Sequence, residues 1–330
     1  MNISLQKYAN ISILRILACL GVFTVHLGQA LTLTGSLRVV TDFGANGVEL
    51  FFIISGFLGF LTYNSQKGIL SYYRNRAIRI FPLYYFVILV NFIIHTFIYK
   101  DVPVDVTGLY WGRYLFFLNG FVHSEEYFWY NLGATWTIPC FVLFYLLMPF
   151  FYKYIKNIFR SLIAILLCFL VNSFILTKTH NFEAFSFLIY FILGISIYFA
   201  YKEGKELFLI CIFSIVDISF IIQNASPIYI YSFLFAILVL SSKKYNINQK
   251  HVNILVGSLS KYTYTLCLVQ GIVFSYSIDS NTMPQIIILL ISILGSALLT
   301  LLIYHFIESP IQSWIMNHYT KRHQSQTESK

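Results

Sequence analysis

Residues 11–30 read ISILRILACLGVFTVHLGQA, an apolar run of about one membrane thickness interrupted by Arg15 and His26. A helix turns about 100° and rises about 1.5 Å per residue, so these two side chains return to within about 20° of one face and stand about 16 Å apart along it. A cation and a titratable ring are costly in hydrocarbon, and inside a span they face a protein interior or an aqueous cavity. The rest of the chain is accordingly read as the wall of that cavity.

With 58% hydrophobic and 11% charged residues among 330, the chain is far more apolar than a soluble domain. It reads as an all-α, polytopic integral membrane protein. The opening run lacks a small-x-small cleavage signal and is expected to stay as the first span rather than be removed as a leader. Ten spans are expected, at 11–30, 44–63, 80–99, 135–153, 161–177, 184–201, 207–222, 227–242, 254–277 and 284–306. In that scheme seventeen Lys and Arg lie on one side and four (Arg38, Lys100, Arg113, Lys178) on the other, which puts both termini in the cytoplasm. The net charge of +9 is then a topology signal, and no nucleic-acid partner is expected. Five scattered cysteines, Cys19, Cys140, Cys168, Cys211 and Cys267, suggest neither a disulfide framework nor a metal cluster and read as small core residues. One integral domain, 1–312, is followed by a polar cytoplasmic tail, 313–330, whose last dozen residues look disordered. The longest connection, 100–134, is rich in aromatics that suit a membrane-interface belt or the stacking of sugar rings.

Three further stretches carry polar residues where a bland span would not. Residues 44–58, GANGVELFFIISGFL, place Glu49 near the start of the expected second span, at a depth similar to that of His26. There it either caps its own helix or fixes the tautomer of the imidazole, as a general base requires. Ser55 reads as a helix-packing residue or a nucleophile. Residues 72–85, YYRNRAIRIFPLYY, put Arg76 and Arg79 three apart on one helical face, where two guanidinium forks can converge on a phosphate. Positive-inside topology is the other reading of these arginines. Residues 305–310, HFIESP, hold Glu308, the only acid near that end, expected to pair with an arginine.

These residues together resemble the membrane-bound acyltransferase family 3. The resemblance rests on R-x10-H (Arg15, His26), the G-x-x-G-V-E-L-F-F-x-x-S-G-F-L block, R-x-x-R-I-x-P-x-Y (Arg76, Arg79, Pro82) and F-I-E-x-P (Phe306 to Pro310), in order over about 300 residues. It implies O-acylation, most often O-acetylation, of an extracytoplasmic sugar, with acetyl-CoA as donor substrate, no permanently bound cofactor, and the first-span histidine as base. It further implies a bacterial inner-membrane location and surface polysaccharide (O antigen, capsule or exopolysaccharide) as acceptor. Two positions depart from the family pattern. Phe141 stands where the block around Trp136 carries an acid, and Gln270 ends a block that usually ends in histidine; Gln270 can still bind through hydrogen bonds, whereas Phe141 cannot.

The expected site is therefore His26 with Glu49 as the catalytic pair, and Arg15, Arg76, Arg79, Ser55, Trp136, Gln270 and Glu308 as donor- or substrate-binding residues. Expected partners are acyl-CoA, a polysaccharide or lipid-linked glycan, and the bilayer, with direct transfer or an acyl-enzyme route both open. A glycan transporter and a catalytically degenerate scaffold are the competing functional classes.

Overall fold

The computed structural model describes residues 9–63, 68–99, 112–119, 133–175, 183–222, 227–242, 250–276 and 282–328. Among these residues all regular structure is helical. Most of the aromatic connection 100–134, and Lys7, Lys67, Lys178, Lys243 and Lys244, lie outside the described residues.

Helix α1 is Ala9–Ala30. Helix α2, Gly35–Phe43, continues through a tight turn of helix at Gly44–Asn46 into α3, Gly47–Thr62, without leaving the right-handed helical region. Helix α4 is Ile69–Ile93, α5 is Thr137–Tyr154, α6 is Ile158–Ile175 and α7 is Leu188–Glu203. Then come α8 at Glu206–Ile222, α9 at Pro227–Ser242, α10 at Lys250–Ser260 and α11 at Thr263–Tyr276. The last rod holds α12 (Gln285–Leu290), α13 (Ser296–Ile303) and α14 (Ser309–Glu328), joined by widened turns at Ile291–Gly295 and Tyr304–Glu308.

Among the described residues, six helical stretches are long and apolar enough to cross a bilayer: Asn10–Ala30, Gly35–Thr62, Ile69–Ile93, Thr137–Tyr154, Ala184–Glu203 and Gln285–His318. Ile158–Ser173 and Thr263–Phe274 are shorter apolar helices. Leucines and isoleucines such as Leu166, Leu170, Ile218 and Leu298 point outward and exposed, the reverse of a soluble protein and the arrangement that a hydrocarbon solvent favours. The described residues are thus all-helical, with the apolar helices of a multi-pass membrane protein.

Four boundaries differ from the sequence expectation. The second rod begins at Gly35 rather than 44, and the third at Ile69 rather than 80, so Arg76 and Arg79 share the helix of the third span, as their spacing predicts, rather than preceding that span. The stretch expected as a span at 254–277 is two helices broken at a turn around Lys261 and Tyr262. The last helix runs to Glu328, where composition suggests a disordered end.

Glycine sets the two tightest helix crossings. A Cβ on Gly47 would strike the Ala18 carbonyl, and Gly44 meets Gly21 in the same way, so α1 and the α2–α3 rod pass backbone to backbone and antiparallel. On its other side α3 crosses α7 at Gly56 and Gly194, each against the partner's backbone. Phe52 beside Phe187 and Phe60 beside Phe199 show that α3 and α7 run parallel. The space between α3, α5 and α7 is filled by Phe52, Phe141, Phe144 and Phe191, with the last two stacked at 4.2 Å. A second core joins α4, α5 and α11 through Tyr84, Ile138, Leu268 and Val269.

Candidate active site

Arg15, Cys19, Phe23 and His26 follow one another at spacings of four, four and three on α1, and so share a face. That face meets α11. The Cys19 thiol donates to the Thr263 carbonyl at 3.4 Å, and its sulfur lies 3.2 Å from that of Cys267. The Phe274 ring packs on Phe23 at 5.4 Å and on His26 at 5.9 Å. Because both ends of this contact keep one offset, the two helices run parallel, and Thr263, Cys267, Gln270 and Phe274 form the α11 side of the seam.

At the histidine end, His26 Nδ1 lies 3.2 Å from Gln29 Oε1. In the tautomer whose proton is on Nδ1, the ring donates to that oxygen and keeps its lone pair on Nε2. Below His26, Gln270 is fully buried and donates from Nε2 to the Cys267 carbonyl at 3.4 Å.

At the other end of α1, Arg15 has Arg79, Tyr145 and Arg76 as its electrostatic neighbours. Arg76 donates to Thr62 Oγ1 at 3.2 Å and lies over the rings of Tyr72 and Tyr145, 5.4 and 5.0 Å from their centroids. Arg79 is exposed. Pro82 lies three residues further along α4. There the Ile80 carbonyl accepts from Tyr264 at 2.9 Å, and the Arg79 carbonyl from Gln312 at 3.4 Å. Glu308 is buried in the widened turn before Pro310, and accepts from the Thr265 hydroxyl and from Gln312 Nε2 at 3.1 Å. Among the described residues, no carboxylate comes within ion-pair distance of Arg15, Arg76 or Arg79. Arg15 thus has two further guanidinium groups, from α4, as electrostatic neighbours, and Glu308 is an electrostatic neighbour of Arg79 without forming an ion pair with it.

The expected assembly is corrected in several places. Glu49 does not meet His26. Gly44 against Gly21 and Gly47 against Ala18 fix an antiparallel register in which Glu49 is level with Ile16, so His26 lies about ten residues, roughly 15 Å, further along α1. Glu49 also lies about 160° around α3 from Gly47, on the face of Ile53 and Gly56 that packs against α7. It is buried there, and its Oε2 has no hydrogen-bond partner. The cause is the start of the second rod, nine residues earlier than expected. Glu308 is held by Thr265 and Gln312 rather than by an arginine, and Arg79 is an electrostatic neighbour only. Trp136 packs at 4.9 Å on Phe187 at the edge of the α3–α5–α7 core, on a short helical turn that also packs against α11, and Ser55 sits half-buried beside the Gly56 crossing. Phe141 is a core residue between Phe52 and Phe191. Cys19 and Cys267 form a contact across the seam that their scattered positions do not suggest.

Sequence reasoning does not single out Gln29, Tyr145, Thr265 or Gln312. Gln29, at i+3 from His26, is readable from helical spacing. Gln312, at i+4 from Glu308, is readable in the same way, whereas Tyr145 and Thr265 come in through contacts between segments far apart in the chain, and no local signal marks them.

Comparison with known proteins supplies a family context for this geometry. A family model described as an acyltransferase domain matches residues 8–305. Nodulation protein 10 of Rhizobium leguminosarum bv. viciae is similar to this chain, 28% identical over 143 residues. The match covers 38% of this chain and 37% of that protein, so the chain spans little more than a third of the length of this relative. No solved structure matches.

Proposed function

This chain belongs to acyltransferase family 3, and from that membership we propose that it is a membrane O-acyltransferase. It moves an acetyl or other short acyl group from cytoplasmic acyl-CoA to a hydroxyl of a surface or lipid-linked polysaccharide. The observation that carries this reading is the single face of α1 on which Arg15, beside Arg76 and Arg79, and His26, whose Nδ1 meets Gln29, stand at the two ends of one seam. A transporter gives no reason for that pairing.

In the proposed mechanism Arg15, Arg76 and Arg79 bind the phosphates of acetyl-CoA at the cytoplasmic mouth. About thirteen bonds separate the inner phosphorus of the pantetheine arm from its sulfur, and an extended chain advances about 1.2 Å per bond, so the arm spans about 16 Å. Eleven residues of helix between Arg15 and His26 rise by about the same distance. The sugar hydroxyl arrives from the opposite side. Its oxygen attacks the thioester carbonyl carbon as His26 Nε2 takes its proton, the C–S bond breaks, and the thiolate of CoA leaves and is protonated. Gln29 holds the imidazole in the required tautomer, the role that the sequence alone suggests for Glu49. Positioning of two bound reactants supplies a large part of the acceleration, since the thioester is already activated. The same reading includes ten crossings with both termini in the cytoplasm, in a bacterial inner membrane, and O antigen, capsule or exopolysaccharide as the acceptor class.

Membrane vesicles given acetyl-CoA labelled in the acetyl group test the reading. Label should pass to polysaccharide with wild-type protein. Arg76→Ala/Arg79→Ala should raise the donor KM about ten- to a hundredfold, because a charge-assisted contact to phosphate contributes about 1.5–3 kcal/mol. A wild-type protein that moves no label would return the chain to the transporter or scaffold class, and an unchanged KM would leave the two arginines as topology residues.

A further inference from the structure

Gln270 is a polar side chain with no exposed surface, and half of its amide is unused. Its Nε2 donates to the Cys267 carbonyl at 3.4 Å, while Oε1 has no hydrogen-bond partner. An unpaired buried carbonyl in a span is unfavourable, and a donor arriving with a ligand would recover that cost. Interpolation between the Cys19–Cys267 and His26–Phe274 contacts sets Gln270 level with Val22. It therefore lies about 6 Å from the level of His26 on the side toward Arg15, at four residues of helical rise.

That position and that chemistry select the ligand group. The acceptor sugar approaches His26 from the other end, so the species passing Gln270 is the arm of the donor. Phosphate is excluded, because a neutral carbonyl oxygen repels an anion and needs an N–H or O–H. The pantetheine arm carries two amides, and the nearer amide nitrogen lies three bonds, about 3.6 Å, from the sulfur.

We propose that Gln270 Oε1 accepts a hydrogen bond from the amide N–H nearest the thioester of the acyl donor, holding the thioester at the height of His26. The inference rests on acyl-CoA being the donor. Gln270 is then a positioning residue, acting on the donor arm rather than on the reacting atoms.

The test compares acetyl-CoA with an analogue in which that amide N–H is replaced by an ester oxygen, using the full chain in membrane vesicles. Wild-type protein should prefer the amide donor by about three- to tenfold in kcat/KM, the value of one neutral hydrogen bond. Gln270→Met, which keeps the bulk but cannot accept, should use both donors equally, at the rate of the ester. If the Met variant fails to insert, Gln270→Asn, which withdraws the same amide by one methylene, should lose most of the preference. A variant that keeps the wild-type ratio, or one that changes only the KM for the acceptor glycan, would overturn the assignment. Wild-type transfer from acetyl-CoA with no amide preference overturns this inference alone. No transfer from acetyl-CoA overturns the donor reading and this inference with it.

Discussion

His26 is held by its nearest polar neighbour on the same helix and by one aromatic ring across the seam. If it is the base, His26→Gln keeps a hydrogen-bonding side chain but cannot take a proton near neutral pH, and should be nearly as inactive as His26→Ala. Gln29→Leu separates orientation from base strength. It leaves the ring in place but frees its tautomer and should lower kcat about tenfold, while the donor KM stays within about twofold, because one neutral hydrogen bond is worth about 0.5–1.5 kcal/mol. Gln29→Glu, which still accepts from Nδ1, should restore most of the rate. The measurement is glycan O-acetylation per molecule of inserted protein. Wild-type activity in the His26→Gln variant would make the histidine structural.

The seam between α1 and α11 is the element on which the site depends, and two thiols report on it. Cys19 and Cys267 lie 248 positions apart in sequence and 3.2 Å apart in space. A membrane-permeant oxidant should join them in an intramolecular disulfide, and Cys19→Ser should abolish the cross-link. Because the bond would pin the two helices beside the path of the donor arm, oxidation should inhibit transfer and reduction should restore it. Failure of the thiols to join in inserted, unheated protein would displace α11 from α1 and remove Gln270 from the donor path. The supporting elements are organised by glycine on the opposite side: Gly47 brings α3 against α1, and Gly56 brings α3 against α7. Glu49, on the α7-facing side, is consequently closed off from the seam by the body of its own helix.

For the whole molecule, the distribution of Lys and Arg predicts a cytoplasmic arginine end and an extracytoplasmic approach to His26. In a cysteine-free background, single thiols at Lys67, Lys202 and Lys244 should react with an impermeant reagent only after the cytoplasmic face is opened, and one at Asp105 in intact cells. Opposite protection at any two of these positions would overturn the ten-crossing topology. A thiol placed at Gln312, whose native side chain joins Glu308 to the Arg79 carbonyl, should also be protected in intact cells.

What is legible from the sequence follows from short-range geometry. Composition determines a helical membrane protein, and the fixed rise and turn of a helix place Arg15 and His26 on one face and Arg76 beside Arg79. Those relations hold within one rod and need no partner. Which face a rod turns toward which neighbour is a different matter, because a lipid-embedded helix is apolar all round and its hydrophobic pattern does not mark the buried side. A depth counted from residue 44 pairs Glu49 with His26, but the rod starts at Gly35 and its glycines turn Glu49 toward α7. Charge alone matches Glu308 to an arginine, yet the widened turn before Pro310 and the packing of α11 supply Thr265 and Gln312 instead. The Cys19–Cys267 contact and the unpaired carbonyl of Gln270 are likewise decided by tertiary structure alone, since they depend on two helices nearly a whole chain apart meeting in parallel at one register.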